Sequence, residues 1–415
     1  MRVNSYKKIF KYSIYLILLL VVTEILIRFY FPQKTFSIAY EEAISCFKKS
    51  DYTVFELQQN CKFQFKNFDT GEKFDTSTNN LGYRGYDFNL EKDSSRKRIL
   101  IEGDSFTFGF GVKDDETFSN LLEQKLASTN KLSEFNNAQV INAGYAGGFG
   151  PDAYYMHLKN EGLDLKPDLV IFSVFIYNDL LDIGDDIWSG TGNYGQPQKI
   201  KSKKIVVDNG YLLPINTPFI YKIPLIRESH LLVMLSNGLI HLFSNFNNIK
   251  DRIVFTFFKP SFLSGDATDD NLPGRYYSFC IYKNECHRIV MHLFDDFISV
   301  LKASQDLINQ KIGVDKTRFL VVLIPADFQL YQDLVPKYQK YMDIPSDLNK
   351  ESDPYPQKLL KQRLTQENIS YLDLFSIFKT DRRRLYYDQD GHWNSQGHAV
   401  AAEAIYNWIL NNFHK

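Results

Sequence analysis

The chain has 415 residues, with 48 basic and 49 acidic side chains and a net charge of −1 at pH 7. Such a length carries a large core and more than one segment, and the balanced charge excludes the basic footprint of a nucleic-acid-binding protein. Aromatic residues make up 15% of the chain but are spread along it, a pattern of packing residues rather than of a single stacking platform.

Arg2, Lys7, Lys8 and Lys11 precede an uncharged run from Tyr12 to Thr23. Glu24 interrupts it, Ile25-Leu26-Ile27 continues it, and Arg28 and Pro32 close it. A helix over residues 9–31 is about 34 Å long at about 1.5 Å per residue, enough to cross a bilayer. The basic flank favours a cytoplasmic amino terminus, so we expect an uncleaved signal anchor in the cell membrane with the rest of the chain outside the cytoplasm. The rival is a cleaved signal peptide, but no small-x-small cleavage site stands between Thr23 and Ser37.

Cys46 and Cys61 lie close in sequence, as do Cys280 and Cys286, so two local disulfides, Cys46–Cys61 and Cys280–Cys286, are expected in an oxidising compartment. No Cys/His cluster has zinc spacing, and neither a metal nor an organic cofactor is implied. Residues 35–96 are polar and irregular, a lead-in from the membrane. In it, Asn80 to Gly85 reads as a turn from which Arg84 either reaches a site mouth or plays a surface or structural role.

An alternation of strands and helices follows. Ile99 to Ile101 is a buried strand broken by Gly103-Asp104-Ser105, with a helix at about Glu116 to Leu126. Val140 to Asn142 is a short strand, followed by a helix from Pro151 to about Glu161. The apolar run Leu169 to Phe175 is a third strand. From about 181 to 288 the pattern stops. This stretch holds a hairpin signal at Asp208-Asn209-Gly210 and an apolar segment, His230 to Phe243, that reads as a packed or membrane-surface helix. The alternation resumes with a helix at about Ile289 to Lys311, a strand Phe319 to Ile324, a helix at about Pro356 to Gln366, a strand Ile369 to Leu374 and a last helix at about Gln396 to Asn412. The expected fold is therefore α/β: a three-layer α/β/α sandwich around a flavodoxin-like five-stranded parallel sheet of order 2-1-3-4-5.

Four features fall just after strands, at one sheet edge. Ser105 follows strand 1, Gly147 strand 2, Asn178 strand 3, and Asp390-Gly391-His392 strand 5. A serine hydroxyl is a poor nucleophile without an adjacent base, and His392 is the candidate. An acid must hold the imidazole in the right tautomer; Asp390 is the nearest and Asp388 the reserve. The backbone N–H groups of Ser105 and Gly147 and the Asn178 amide are candidate oxyanion donors. Asp104 and Asp179 read as loop-bonding carboxylates and His398 as a residue near the start of the last helix.

These blocks resemble the SGNH hydrolases, also called GDSL-type esterases. Gly103-Asp104-Ser105-Phe106 is similar to their first block, Asn142 through Gly147 to the second, Tyr177-Asn178-Asp179 to the third and Asp390-Gly391-His392-Trp393-Asn394 to the last. The resemblance covers roughly residues 97–180 and 315–413. It implies Ser105 as nucleophile, His392 as base, and Gly147 and Asn178 at the oxyanion positions. The common last block places its acid three residues before the histidine, where this chain has Gln389. The Asp390-x-His392-Trp393 spacing instead resembles periplasmic polysaccharide O-acetylating proteins.

The expected organisation is a cytoplasmic stub and membrane anchor (1–34), an extracytoplasmic lead-in (35–96), a catalytic domain in two parts (97–180 and 289–415) and an insertion or cap between them (181–288). The resemblance implies a serine esterase acting on acyl or acetyl esters of a cell-envelope glycan or lipid. An O-acyltransferase that passes the acyl group to a polysaccharide hydroxyl is the alternative, and a non-catalytic envelope protein on the same fold is a third reading.

Overall fold

The structure, a computed structural model, describes residues 2–33, 35, 44–132, 134–145, 150–183, 188–191, 197–200, 205–214, 223–235, 282, 288–315, 318–339, 344–348, 353–388 and 390–414. Gly147, the Cys280–Cys286 pair and the apolar segment beyond Leu235 lie outside the described residues. The chain divides into two units, one of residues 1–43 and 213–267, the other of residues 44–212 and 268–415.

In the first unit α1 runs from Arg2 to Tyr30, and its stretch Tyr6–Tyr30 is long and apolar enough to be a membrane span or a signal sequence.

The second unit is built on a parallel sheet. Its strands are β3 (Arg98–Gly103), β4 (Gln139–Gly144), β5 (Leu169–Phe175), β6 (Phe319–Ile324) and β7 (Ser370–Asp373). They lie side by side as β7-β6-β5-β3-β4, which in chain order is 2-1-3-4-5, and the pairs are parallel throughout. Successive residues of a strand face opposite sides, so a sheet covered on both faces needs an unbroken apolar run. Leu169, Ile171, Leu320 and Val322 join one core cluster with Phe118, Leu122, Ala401 and Ile405. Val170, Phe172, Val321 and Leu323 join another with Tyr154, Leu158, Phe294, Leu301 and Leu360. The covering helices are α3 (Phe118–Ala127) and α7 (Ser395–Phe413) on the first face, and α4 (Pro151–Asn160), α5 (Arg288–Ile312) and α6 (Tyr355–Gln366) on the second.

The residues after β3 depart from expectation. They form a four-residue helix, α2 (Ser105–Phe108), directly at the break, and α3 begins only at Phe118, where the Thr117 side chain accepts the Asn120 N–H. Two glycines let α2 sit against the sheet end. A Cβ on Gly103 would stand 2.0 Å from Thr107 Oγ1, and one on Gly144, its register partner, would stand 2.2 Å from the Phe108 nitrogen.

The lead-in is also more regular than its polar composition suggests. β1 (Lys62–Lys66) and β2 (Lys73–Ser77) form an antiparallel hairpin, and a disulfide joins Cys46 to Cys61. Phe63 and Phe65 alternate with Lys and Gln along β1, too short a period-2 signal to stand out among charged neighbours. They pack with Phe47, Phe55, Phe108 and Tyr145 in an aromatic cluster beneath α2. At the Asn209-Gly210 hairpin signal both residues have positive φ, 50° and 86°, the geometry of a tight hairpin turn.

Arg84 is buried, not at a site mouth. Its Nη1 donates to the carbonyls of Phe108 (2.6 Å) and Gly109, its Nη2 to that of Val112 (2.6 Å) and its Nε to Asp114 (2.8 Å). The guanidinium fork thus pins the loop that follows α2. Replacing Arg84 with Met leaves these buried acceptors without a donor and is expected to cost about 3–5 kcal/mol, read as a lower urea midpoint. Lys in its place restores charge but not the fork, and recovers only part of the loss.

Candidate active site

Ser105 is the first residue of α2, so its backbone N–H has no helical carbonyl to bond and points out of the helix start. Asp104 caps that helix by accepting the Phe106 N–H at 2.9 Å. The cap fixes the turn that carries Ser105 off the end of β3.

His392 comes from the loop before α7. Tyr387 N–H donates to the His392 carbonyl (2.8 Å), Gly391 N–H donates to the Tyr387 carbonyl (3.2 Å), and the Tyr387 hydroxyl donates to the Gly111 carbonyl (2.8 Å). The loop is thereby closed on itself and tied to the loop after α2. The imidazole lies between Phe106 and Phe110, with ring centroids at 5.0 and 5.1 Å.

These two anchors bring the Ser105 hydroxyl to 2.7 Å from His392 Nε2. Nδ1 of the same ring faces the Asp390 carboxylate in a short hydrogen bond. With Nδ1–H donating to Asp390, Nε2 carries the free lone pair that accepts the hydrogen bond of the Ser105 hydroxyl. Asp388, the reserve acid, is turned away: it accepts from Arg384 Nε at 2.5 Å. Burial alone would lower the His392 pKa. The Asp390 charge and its hydrogen bond oppose this, Asp104 and Asp327 add to them, and the imidazole ends above its ordinary value.

Asn178 stands at the end of β5 as expected. One N–H of its amide donates to Asp182 at 3.1 Å, and Asp104 is a second carboxylate within its reach. Asp104 is pushed up to about 6 by burial, against the opposing Phe106 N–H and the His392 charge. Asp179 accepts the Phe175 N–H at 2.9 Å, and burial with repulsion from Asp104 and Asp182 holds its carboxyl well above the usual range. Both are loop-bonding carboxylates. His398 lies in the first turn of α7, where Nδ1 accepts the Phe118 N–H (3.2 Å) and burial lowers its pKa to about 3, so it stays neutral.

Two neighbours of the site escaped the sequence reading. Asp327 follows β6, the one strand end to which no chemistry was assigned. It accepts the Tyr338 hydroxyl at 2.9 Å, burial pushes it up to about 6, and its charge acts on His392. Tyr145 is the second. Its N–H donates to the Gly103 carbonyl (2.9 Å), its φ is +62°, and its ring is buried against Phe108 and Phe47. This strained turn brings the phenol into hydrogen-bond contact with the Ser105 side chain. Burial and the nearby Asp104 raise the phenol's pKa, so it stays protonated.

No family model matches the chain, and no curated protein matches it. Among solved structures it is similar to a lipase/acylhydrolase from Enterococcus faecalis, with 13% identity and a TM-score of 0.36 over 76% of this chain and 97% of that one. It is also similar to a two-domain esterase (CEX) active on acetylated mannans, with 12% identity and a TM-score of 0.34 over 76% of this chain and 49% of that one. Both are remote likenesses.

Proposed function

We propose that the chain is a membrane-anchored, extracytoplasmic serine esterase of the SGNH type. The observation that carries this reading is the continuous chain of contacts from the Ser105 hydroxyl through both nitrogens of His392 to Asp390. In the proposed reaction the Ser105 oxygen attacks the ester carbonyl while its proton passes to Nε2. Asp390 stabilises the resulting imidazolium. The Ser105 N–H, the Asn178 amide and Gly147 are the proposed donors to the tetrahedral oxyanion, each worth about 3 kcal/mol of barrier. Collapse breaks the ester C–O bond, and the leaving alkoxide takes the proton from Nε2. The acyl group now sits on Ser105, and a second nucleophile, deprotonated by His392, releases it. α1 is proposed as an uncleaved anchor with a cytoplasmic amino terminus, residues 97–180 and 289–415 as the catalytic domain, and residues 181–288 as its cap. The substrate is an acyl or acetyl ester on an envelope glycan or lipid.

Tyr145 refines this scheme. A protonated phenol in hydrogen-bond contact with the nucleophile's oxygen can donate to it as negative charge develops there, both on attack and when the Ser105 oxygen leaves in the second step. Tyr145→Phe is expected to lower kcat about tenfold with KM and thermal midpoint little changed, the size of one neutral hydrogen bond of about 1 kcal/mol.

One observation favours transfer over hydrolysis as the second step: the acid that contacts His392 is Asp390, two residues before it, in the Asp-x-His-Trp spacing that resembles O-acetylating proteins. The two outcomes separate when the purified full-length protein is incubated with a chromogenic acetyl ester, with and without an oligosaccharide. Free acetate that matches chromophore release under both conditions supports the esterase. Acetyl groups recovered on the sugar in excess of free acetate support the transferase. No chromophore release at all, from a correctly folded protein, removes both.

A further inference from the structure

Glu24 is the only acid in α1, and in an apolar span a carboxylate is costly unless paired. It is fully engaged within its own unit. Arg28 Nε donates to it at 2.8 Å, the Ser229 hydroxyl at 2.8 Å, the His230 N–H at 2.9 Å and the Leu231 N–H at 2.8 Å. Arg28 Nη2 in turn donates to the Glu228 carbonyl at 3.0 Å, and the Gln33 N–H donates to His230 Nδ1 at 2.8 Å.

The partner segment is the start of a helix over residues 230–235. A helix start exposes N–H groups that lack carbonyl partners. Here the N–H groups of His230 and Leu231 are taken by Glu24, and that of Leu232 by the Ser229 hydroxyl at 3.2 Å. Carboxylate and helix start therefore satisfy one another completely and need no water. That is the condition for polar backbone to exist at membrane depth. Glu24 stands about 9 Å before the end of α1 at about 1.5 Å per residue, within the roughly 5–10 Å to which interfacial helices sink. Several apolar side chains on both elements are exposed, although Ile27 is buried. Leu232 and Leu235 are 41% and 49% exposed, and on α1 Leu26 and Phe29 are 50% and 80% exposed, whereas Val233 is buried.

We infer that residues 229–235 lie in the outer boundary of the bilayer beside α1, locked there by Glu24, so that the lipid surface is the partner of this segment as well as of α1. The inference rests on reading α1 as a bilayer span.

The test uses the full-length chain in phosphatidylcholine vesicles, with a bilayer-partitioned diazirine probe and, separately, a water-soluble one, and adducts mapped by mass spectrometry. The expected result is labelling by the bilayer probe at Leu232 and Leu235 as well as at residues 12–30, with protection of both from the soluble probe. In Glu24→Ala, labelling at 232 and 235 relative to α1 is expected to fall about tenfold, because the freed N–H groups seek water; Glu24→Gln, which keeps an acceptor, retains part of it. Bilayer labelling of α1 with only soluble-probe labelling over 229–235 overturns the inference and leaves the anchor intact. Soluble-probe labelling in the middle of α1 overturns both. Labelling at 232 and 235 unchanged in Glu24→Ala overturns the role of Glu24.

Discussion

Ser105→Ala is expected to lower kcat/KM for ester turnover by about four to six orders of magnitude. The expected loss is this large because the hydroxyl oxygen is the only heavy atom removed and, in the proposed reaction, it is the atom that bonds to carbon. The features that shape its surroundings stay: Asp104 still caps α2, Gly103 and Gly144 still admit it against the sheet, and Arg84 still holds the following loop. Substrate binding and thermal midpoint are therefore expected to change little. A residual rate above the uncatalysed reaction remains, since donors to the oxyanion act without the nucleophile. A loss of less than about tenfold, measured with a chromogenic acetyl ester, would remove Ser105 from the chemistry.

Asp390→Asn lowers kcat by about three to four orders of magnitude and moves the pH profile. The direction follows from the forces on His392. Its pKa in the folded chain lies above the ordinary value because the Asp390 charge and hydrogen bond outweigh burial. Activity needs the neutral imidazole, so the wild-type rate falls as pH drops through that raised pKa and is full above it. With a neutral amide at 390, burial acts against weaker opposition and the acidic limb moves to lower pH. The rate above the limb stays low, because an amide N–H facing Nδ1 favours the wrong tautomer. Asp388→Asn is the control. That carboxylate bonds Arg384, so kcat and the limb are expected to stay near wild type. The opposite ranking of the two variants would reassign the orienting acid to Asp388.

The sheet was legible because a strand covered on both faces must be apolar at nearly every position. Leu169–Phe175 and Phe319–Ile324 are such runs, and their boundaries are those the residues suggest. Ser105 and Asn178 were legible because parallel strands deliver their following residues to one edge, and His392 because its block directly precedes the last helix, although the helix Phe375–Thr380 separates it from β7. The choice between Asp390 and Asp388 was not, since both are acids of the same short loop. It is decided by the left-handed turn at Gly391 (φ 87°) and by the competing pull of Arg384. Tyr145 was hidden for a related reason. Its place in the Asn142 to Gly147 stretch is visible, but its approach to Ser105 depends on a positive φ that a bulky residue adopts only under tertiary constraint. The sequence leaves Arg84 between a site mouth and a surface or structural role, because its partners, the carbonyls of Phe108, Gly109 and Val112, are brought to it only by the fold. Asp327 gave a usable signal, an acid just past a strand end, that went unread because it matches no block of the family resemblance.

In the proposed reaction His392 activates Ser105 as a nucleophile. A fluorophosphonate probe tests this directly, since the probe phosphonylates a serine, with loss of fluoride, only when an adjacent base has made it reactive. The expected result is one adduct, mapped to the peptide that carries Ser105, with a labelling rate that falls at least about a hundredfold in His392→Ala. Labelling of Ser105 at an undiminished rate in His392→Ala, or an adduct on another serine with Ser105 untouched, would contradict it.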